Sequence, residues 1–437
     1  MSRLAPRLAT TAILARRVAG QAHAGGFQRH LSSLAAVRGT GAARGPLFVR
    51  SPAICGSSRS LATVAADLPR AEVLSIVKGQ TLRIPNYERL FDDWPQLVNP
   101  HKSSVTEVVN EIVQKYAVSP KVSHRLKNNG LDVLVATWFP LASRERLAEL
   151  SQFVCWMFIV DDEIDALAKA SVEDFKHLWS EVLRVISESC GLHGNEAAGA
   201  GAGGFRKSDF QAAETFRPFG ELLMQRYSVE QRQRFWDELE KTAQGYIQLH
   251  EFTKLDRIPD YDAYCFGRYG SSCMAQNLSM FEYANESNIP QHIMESPELQ
   301  TLWRATTDSL WINNDIFSFR KEIADDFTDN LLLIASKPDY NLQTGLDHCV
   351  ERMESAVAKL NDAVEALEQR YMGELSADGG ADGRVAQDLE KFIACCRAIS
   401  AGTFKWSLAT PRYGTLGQLK AADGSISFKA GEKQAVI

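Results

Sequence analysis

A chain of 437 residues, 45% hydrophobic and 23% charged, has ordinary globular composition and room for one large domain or two or three smaller ones. Its net charge of −6 is uneven: residues 1–66 hold nine Arg and no Lys, Asp or Glu, and setting that +9 aside leaves −15 for the rest. An acidic body without a basic stripe argues against nucleic acid as a partner, and no apolar run suits a membrane span or a secretory signal. Eight scattered Cys, with no C-x-x-C pair and no His at zinc-finger spacing, argue against disulfides and structural zinc.

The first 66 residues are Arg-rich, Ser-rich and acid-free, with apolar pieces such as Ala12-Ile13-Leu14-Ala15 beside Arg16-Arg17. That composition predicts an organellar transit peptide, mitochondrial as the first choice; a plain disordered leader would leave the protein cytoplasmic. Residues 67–100, with Pro69, Pro85, Pro95 and Pro100, are expected to be irregular. From Ser103 or Ser104, as N-cap, the stripe Val105, Val108, Val109, Ile112, Val113 and Tyr116 predicts a one-sided helix. Helical stretches follow over about 120–165, 172–190, 209–254, 261–285, 297–322, 342–372 and 385–409. The Gly/Ala run at 197–204 and the segment Gly379–Gly383 are expected loops. The expected fold is all-α, a single domain over 67–413 behind the leader, with a tail over 414–437.

The apolar run Phe153–Val160 leads straight into Asp161-Asp162-Glu163-Ile164-Asp165. A helix with no polar face is a buried helix, so the acids stand at the rim of a core. Asp161 and Asp165 share a face at i, i+4, where like charges repel unless a cation holds them. Mg²⁺ is the natural candidate, being hard, carboxylate-seeking and able to bridge to phosphate.

Asn314-Asp315-Ile316-Phe317-Ser318-Phe319-Arg320-Lys321-Glu322 forms a second motif. Four residues turn a helix by about 400°, so Asn314, Ser318 and Glu322 fall within an arc of about 80°. Amide oxygen, hydroxyl and carboxylate on one stripe are a hard-oxygen ligand set. Phosphates held between two such motifs need further cations. Lys321 lies inside the second motif, Arg268 precedes Asn314 by 46 residues, and Arg412-Tyr413 follow Trp406.

These motifs, in this order over roughly 75–415, resemble those of the microbial (fungal and bacterial type) class I terpene synthases, the sesquiterpene synthases in particular. The resemblance rests on Asp161–Asp165, Asn314–Glu322, Arg268, the Trp406-x-x-x-Thr410-x-Arg412-Tyr413 run, and Phe158 three residues before Asp161. It implies a lone helical bundle around a central active-site cavity and a lyase reaction on an isoprenyl diphosphate. Asp161 and Asp165 would hold two Mg²⁺, and Asn314, Ser318 and Glu322 a third. Arg268, Lys321, Arg412 and Tyr413 would grip the diphosphate, and Phe158, Trp311 and Trp406 would line the hydrocarbon pocket. Arg268 would act as a sensor at a helix break, with Ser271 and Ser272 as linker and effector, where many relatives have Asp and Gly. Farnesyl diphosphate is the expected substrate, with geranyl diphosphate the alternative, and the protein a monomer or homodimer. A chain-elongating isoprenyl diphosphate synthase would use a second DDxxD, which Asp325-Asp326-Phe327-Thr328-Asp329 offers. That reading leaves the 314 motif and Arg412-Tyr413 without a role.

Overall fold

The computed structural model describes residues 68–432 apart from 118, 168, 193–205 and 373–380. The leader, the Gly/Ala run at 197–204 and the first residues of the 379–383 segment lie outside the described residues. The described body is helical apart from one short two-stranded ribbon.

Helix α1 (Arg70–Val77) and strand β1 (Thr81–Ile84) occupy the stretch expected to be irregular. β1 pairs antiparallel with β2 (Ile426–Lys429), in the register Thr81↔Lys429 to Ile84↔Ile426. The expected tail is thus tied back onto the start of the domain, with Leu416, Ile426 and Phe428 buried. Each strand alternates over only four residues, too few to distinguish from chance without its partner.

Helix α2 (Lys102–Tyr116) buries Val105, Val109 and Val113 as the stripe requires. It starts before the expected Ser cap, at His101, which makes no side-chain cap bond. The stretch 120–165 is three helices: α3 (Pro120–Asn128), α4 (Leu131–Trp138) and α5 (Arg144–Ala166). Gly130 at φ 68° separates the first two, and Pro140 ends the second by restricting Phe139. α6 (Val172–Cys190) matches its expected span, between the Ser171 cap and Gly191 in the left-handed region. The stretch 209–254 divides into α7 (Gln211–Arg226) and α8 (Val229–Lys254), where Ser228 and Gln231 form a capping box.

The next stretch also divides, into α9 (Tyr261–Ser271), α10 (Met274–Ser279) and α11 (Phe281–Asn285), with Cys273 at φ 61° between the first two. After the short α12 (Gln291–Met294), α13 (Pro297–Ala324) runs through the middle of the body and touches α9, α10, α15 and α16. α14 (Leu331–Ala335), α15 (Leu342–Leu367) and α16 (Ala381–Ala409) complete the bundle. α16 begins inside the 379–383 segment expected to be a loop. A 3₁₀ turn, Pro411–Tyr413, follows it and lies against α13.

Helices α8 and α9 meet backbone to backbone. A Cβ on Gly270 would stand 2.1 Å from the Lys241 carbonyl oxygen, and one on Gly245 would stand 2.3 Å from that of Gly267. Only glycine permits this approach, and it sets the height at which α9 presents its later residues. Gly270→Ala is therefore expected to lower the unfolding free energy by about 1–3 kcal/mol, the usual penalty for overpacking, as measured by chemical denaturation. An unchanged midpoint would mean that the two helices do not cross this closely.

Candidate active site

The apolar run on α5 is buried as expected, with only Phe158 part-exposed. The acids after it fan out because each residue advances about 100° around the helix. Asp162 is buried and pairs with Arg125 on α3. Burial pushes its carboxyl up; Arg125 opposes this and Asp161 reinforces it. Glu163 accepts the Ala212 backbone N–H (2.8 Å) at the start of α7, and burial raises its carboxyl too. Asp161 alone of these three meets a residue of the second half: its Oδ2 lies 3.2 Å from Arg412 Nη2. Asp165 lies one turn further along α5; its side chain is not among those described.

From Arg412 the contacts run across to the second motif. The neighbouring Tyr413 hydroxyl accepts from Asn314 Nδ2 (2.6 Å), and Asn314 Oδ1 accepts from Arg268 Nη2 (2.6 Å). Arg268 Nε donates to Asp315 Oδ1 (2.9 Å). Asp315 is 1% exposed and also accepts from the Tyr264 hydroxyl (2.6 Å) and the Leu331 N–H (2.9 Å). Burial opposes the charge on both arginines, yet Asp315, Tyr264 and Glu322 around Arg268, and Asp161 and Tyr413 around Arg412, outweigh it and hold both guanidiniums protonated. Burial likewise pushes the Tyr413 phenol up, against the pull of Arg412.

Ser318 Oγ is buried without a hydrogen bond of ordinary geometry, although it lies near enough to Glu322 to draw that carboxyl's pKa downward. Among the described residues, no three His, Cys, Asp or Glu group closely enough to hold a metal by themselves. The mixed stripe of Asn314, Ser318 and Glu322 does fit one: its oxygens are hard, and a cation would satisfy the orphaned hydroxyl.

α9 ends at Ser271, and the chain breaks at Ser272-Cys273, just after Arg268, where the resemblance implies a break. Ser271 Oγ is buried without a partner, and Ser272 Oγ donates to the Tyr269 carbonyl (3.0 Å). Lys321 sits at the rim, 3.3 Å from Asp325 and part-exposed. The Arg412 guanidinium lies over the Phe158 ring, 5.3 Å from its centre. Trp406 meets Tyr413 edge-on at 5.6 Å and donates to the carbonyls of Asn129 and Gly130, anchoring the end of α16 to the α3–α4 break. A cleft of 440 Å³ beside this anchor is lined by Trp406 and Thr410 and by none of the residues assigned to metal or diphosphate. Trp311 departs from the expected pocket role. Its N–H donates to Asp308 (2.8 Å), and the Arg352 guanidinium covers its ring at 4.9 Å, so packing against α15 consumes it.

The second DDxxD is dispersed. Asp325 faces Lys321, Asp326 pairs with Lys78, and Asp329 lies 2.8 Å from Arg70. Asp315, Tyr264 and Asn330 belong to the site and were not singled out from the sequence. Asp315 stands inside the quoted motif and Tyr264 one turn before Arg268, but only their hydrogen bonds reveal their roles. The signal at Asn330 is an N-cap residue ahead of Leu331-Leu332-Leu333-Ile334.

Residues 152–359 match the family model described as terpene synthase family 2, C-terminal metal binding, a span that contains both motifs and Arg268. The chain is 26% identical to sesquiterpene cyclase hepA of Aspergillus oryzae, over 82% of this chain and 96% of the relative. It is 24% identical to terpene cyclase braA of Annulohypoxylon truncatum, over 81% and 92%. Among solved structures, wild-type cucumene synthase superposes with a TM-score of 0.59 at 16% identity, covering 73% of this chain and 100% of that one. Hedycaryol synthase in complex with HEPES scores 0.60, at 17% identity, with 74% and 98% covered. No described helix is long and apolar enough to cross a membrane. Fold, motif order and family match together identify the chain as a class I terpene synthase of the microbial type, a lyase with a divalent-metal-binding domain and an isoprenyl diphosphate as substrate.

Proposed function

We propose that this enzyme is a Mg²⁺-dependent sesquiterpene cyclase that ionises farnesyl diphosphate and closes the resulting allylic cation into a ring system. The observation that carries the reading is the unbroken run of contacts Asp161–Arg412, Tyr413–Asn314 and Asn314–Arg268–Asp315, which joins the two motifs across the bundle. Asp161 and Asp165 would hold two Mg²⁺ and Asn314, Ser318 and Glu322 a third. When bound, the metal neutralises charge developing on the departing diphosphate. Arg268, Arg412 and the Tyr413 hydroxyl supply further donors, held in place by side chains of the motifs in a largely enclosed setting where such contacts are strong, and Lys321 adds a cation from the rim.

Both guanidiniums rest on side chains of the motifs themselves. Arg412 must exchange Asp161, and Arg268 must exchange Asn314, for phosphate oxygens when substrate and metal arrive. That exchange frees the ligands at the moment they are needed. Phe158 and Trp406 stand beside the diphosphate grip and can stabilise a migrating cation by about 1–2 kcal/mol each. We assign Trp311 to packing. The relatives named as sesquiterpene cyclases support a C15 substrate. The separate engagements of Asp325, Asp326 and Asp329 speak against chain elongation. The composition of residues 1–66 supports import into an organelle, the mitochondrion first, ahead of a synthase domain that starts near 67 and takes in β2 at Ile426–Lys429.

Incubating the chain without residues 1–66 with C10, C15 and C20 diphosphates and Mg²⁺ is expected to release volatile hydrocarbon from the C15 substrate, read by mass spectrometry. Turnover of C10 alone would make it a monoterpene synthase, and no product from any of the three would sink the proposal. Asn314→Ala and Asp161→Ala are each expected to lower kcat at least ~10²-fold, the scale of losing one transition-state contact. Full turnover in either variant would remove that residue from the metal site.

Glu322 allows a separate test. Burial first, and then Asp315, push its carboxyl up, against Asn330 and Arg268. A carboxyl raised in the folded state favours folding while protonated and loses that contribution as pH rises through its folded pKa. Glu322→Gln is therefore expected to keep or raise the thermal midpoint of the metal-free protein at about pH 8, with the gain fading toward the ordinary Glu value near ~4.3. The same variant should lose metal-dependent turnover. A clear drop in midpoint at the higher pH would contradict the assigned burial of this charge.

A further inference from the structure

We propose that Asn330 is a positioning residue for Glu322, and that α1, the first helix of the described body, holds Asn330 in place through Arg70. The proposal rests on the reading of Glu322 as a metal ligand. Asn330 is fully buried, and its amide is spent on three bonds. Nδ2 donates to Glu322 Oε2 (2.8 Å) and to the Asp315 carbonyl (2.8 Å), while Oδ1 caps α14 by accepting the Leu332 N–H (2.9 Å). One oxygen of Glu322 is thereby engaged and the other left for a cation. The next backbone N–H, on Leu331, goes to Asp315 Oδ2 (2.9 Å). The start of α14 thus grips both carboxylates of the second motif, the one that steadies Arg268 and the one assigned to the metal. A ligating carboxylate needs such an outer partner to fix its rotamer.

The residues just before Asn330 are fastened from outside the motif. Asp329 is buried; its Oδ1 lies 2.8 Å from Arg70 Nη2 and its Oδ2 accepts from the Thr253 hydroxyl (3.1 Å). Arg70 also reaches Thr328 Oγ1 and the Arg257 carbonyl (2.7 Å), and Lys78 pairs with Asp326. Two cations of one short segment therefore clamp 326–329, the stretch that reads as a second DDxxD. Without Arg70, Asp329 would be a buried charge with no cation beside it, and the 325–330 loop would have to shift to hydrate it. That shift moves Asn330, and with it Glu322.

A cap role alone for Asn330 makes a different forecast, because Asp and Ser cap helices about as well as Asn. Asn330→Ser and Asn330→Asp keep the acceptor for Leu332 and lose the donor to Glu322. We expect both to weaken Mn²⁺ binding in the presence of inorganic diphosphate, read by electron paramagnetic resonance, by ~10-fold or more. The Mg²⁺ concentration for half-maximal rate should rise more than kcat falls. Native Mn²⁺ affinity in both variants would reduce Asn330 to a cap and overturn the proposal. Arg70→Ala is expected to weaken Mn²⁺ binding in the same way, with Arg70→Lys recovering part of the loss. Native affinity in Arg70→Ala would overturn the role given to α1. Glu322→Ala separates the underlying reading: if it binds Mn²⁺ like the native protein, Glu322 is no ligand, and the metal assignment fails whatever Asn330 does.

Discussion

Arg268 carries a full positive charge into a region from which water is largely excluded, and Asp315 makes that possible. The carboxylate takes the Arg268 Nε, the Tyr264 hydroxyl and the Leu331 N–H, so one residue ties together α9, α13 and α14. Removing one partner of such a pair leaves an uncompensated charge, at a cost of about 3–5 kcal/mol. The close backbone crossing of α8 and α9 at Gly245 and Gly270 sets where Arg268 stands, and Asp315 sets where it points. With Arg268 fixed, Asn314 and Tyr413 have a defined partner, and the far motif is reached through Arg412.

This arrangement assigns different duties to acids that look equivalent in the sequence. Of the run at 161–163, Asp162 braces α3 and Glu163 braces α7, which leaves Asp161 for the site. In the second motif Asp315 is structural, while the half-buried Glu322 carries a raised pKa. A carboxylate that is uncomfortable without a counter-ion is poised to bind one. The fold therefore spends some acids on helix packing so that others can remain under electrostatic tension. The acids at 325–329 follow the same division, since they pair with Lys321, Lys78 and Arg70.

Much of the fold was legible because long helices announce themselves by period. The stripe on α2, the span of α6 and the apolar run on α5 follow directly from residue order. Helix breaks were less legible. Gly130, Ser228 and Cys273 interrupt stretches whose composition stays helical, and a capping box or a left-handed residue spans too few positions to outweigh its neighbours. The ribbon of β1 and β2 was invisible, because each four-residue strand acquires its meaning from a partner more than 300 positions away.

For the site, sequence alone determined which residue types could bind hard cations and phosphate, since the spacing Asn314, Ser318, Glu322 aligns them on any helix. It also determined that Arg268 and Arg412-Tyr413 belong with them, through the resemblance of motif order. Tertiary structure alone decided which acid of 161–163 meets Arg412, that Trp311 lies under Arg352, and that Asn330 and Arg70 stand behind Glu322. The physical reason is one of range. Helical periodicity is a local property carried by consecutive residues, whereas hydrogen bonds and ion pairs depend on which helices cross, and at what height, and that is settled by contacts between residues far apart in the chain.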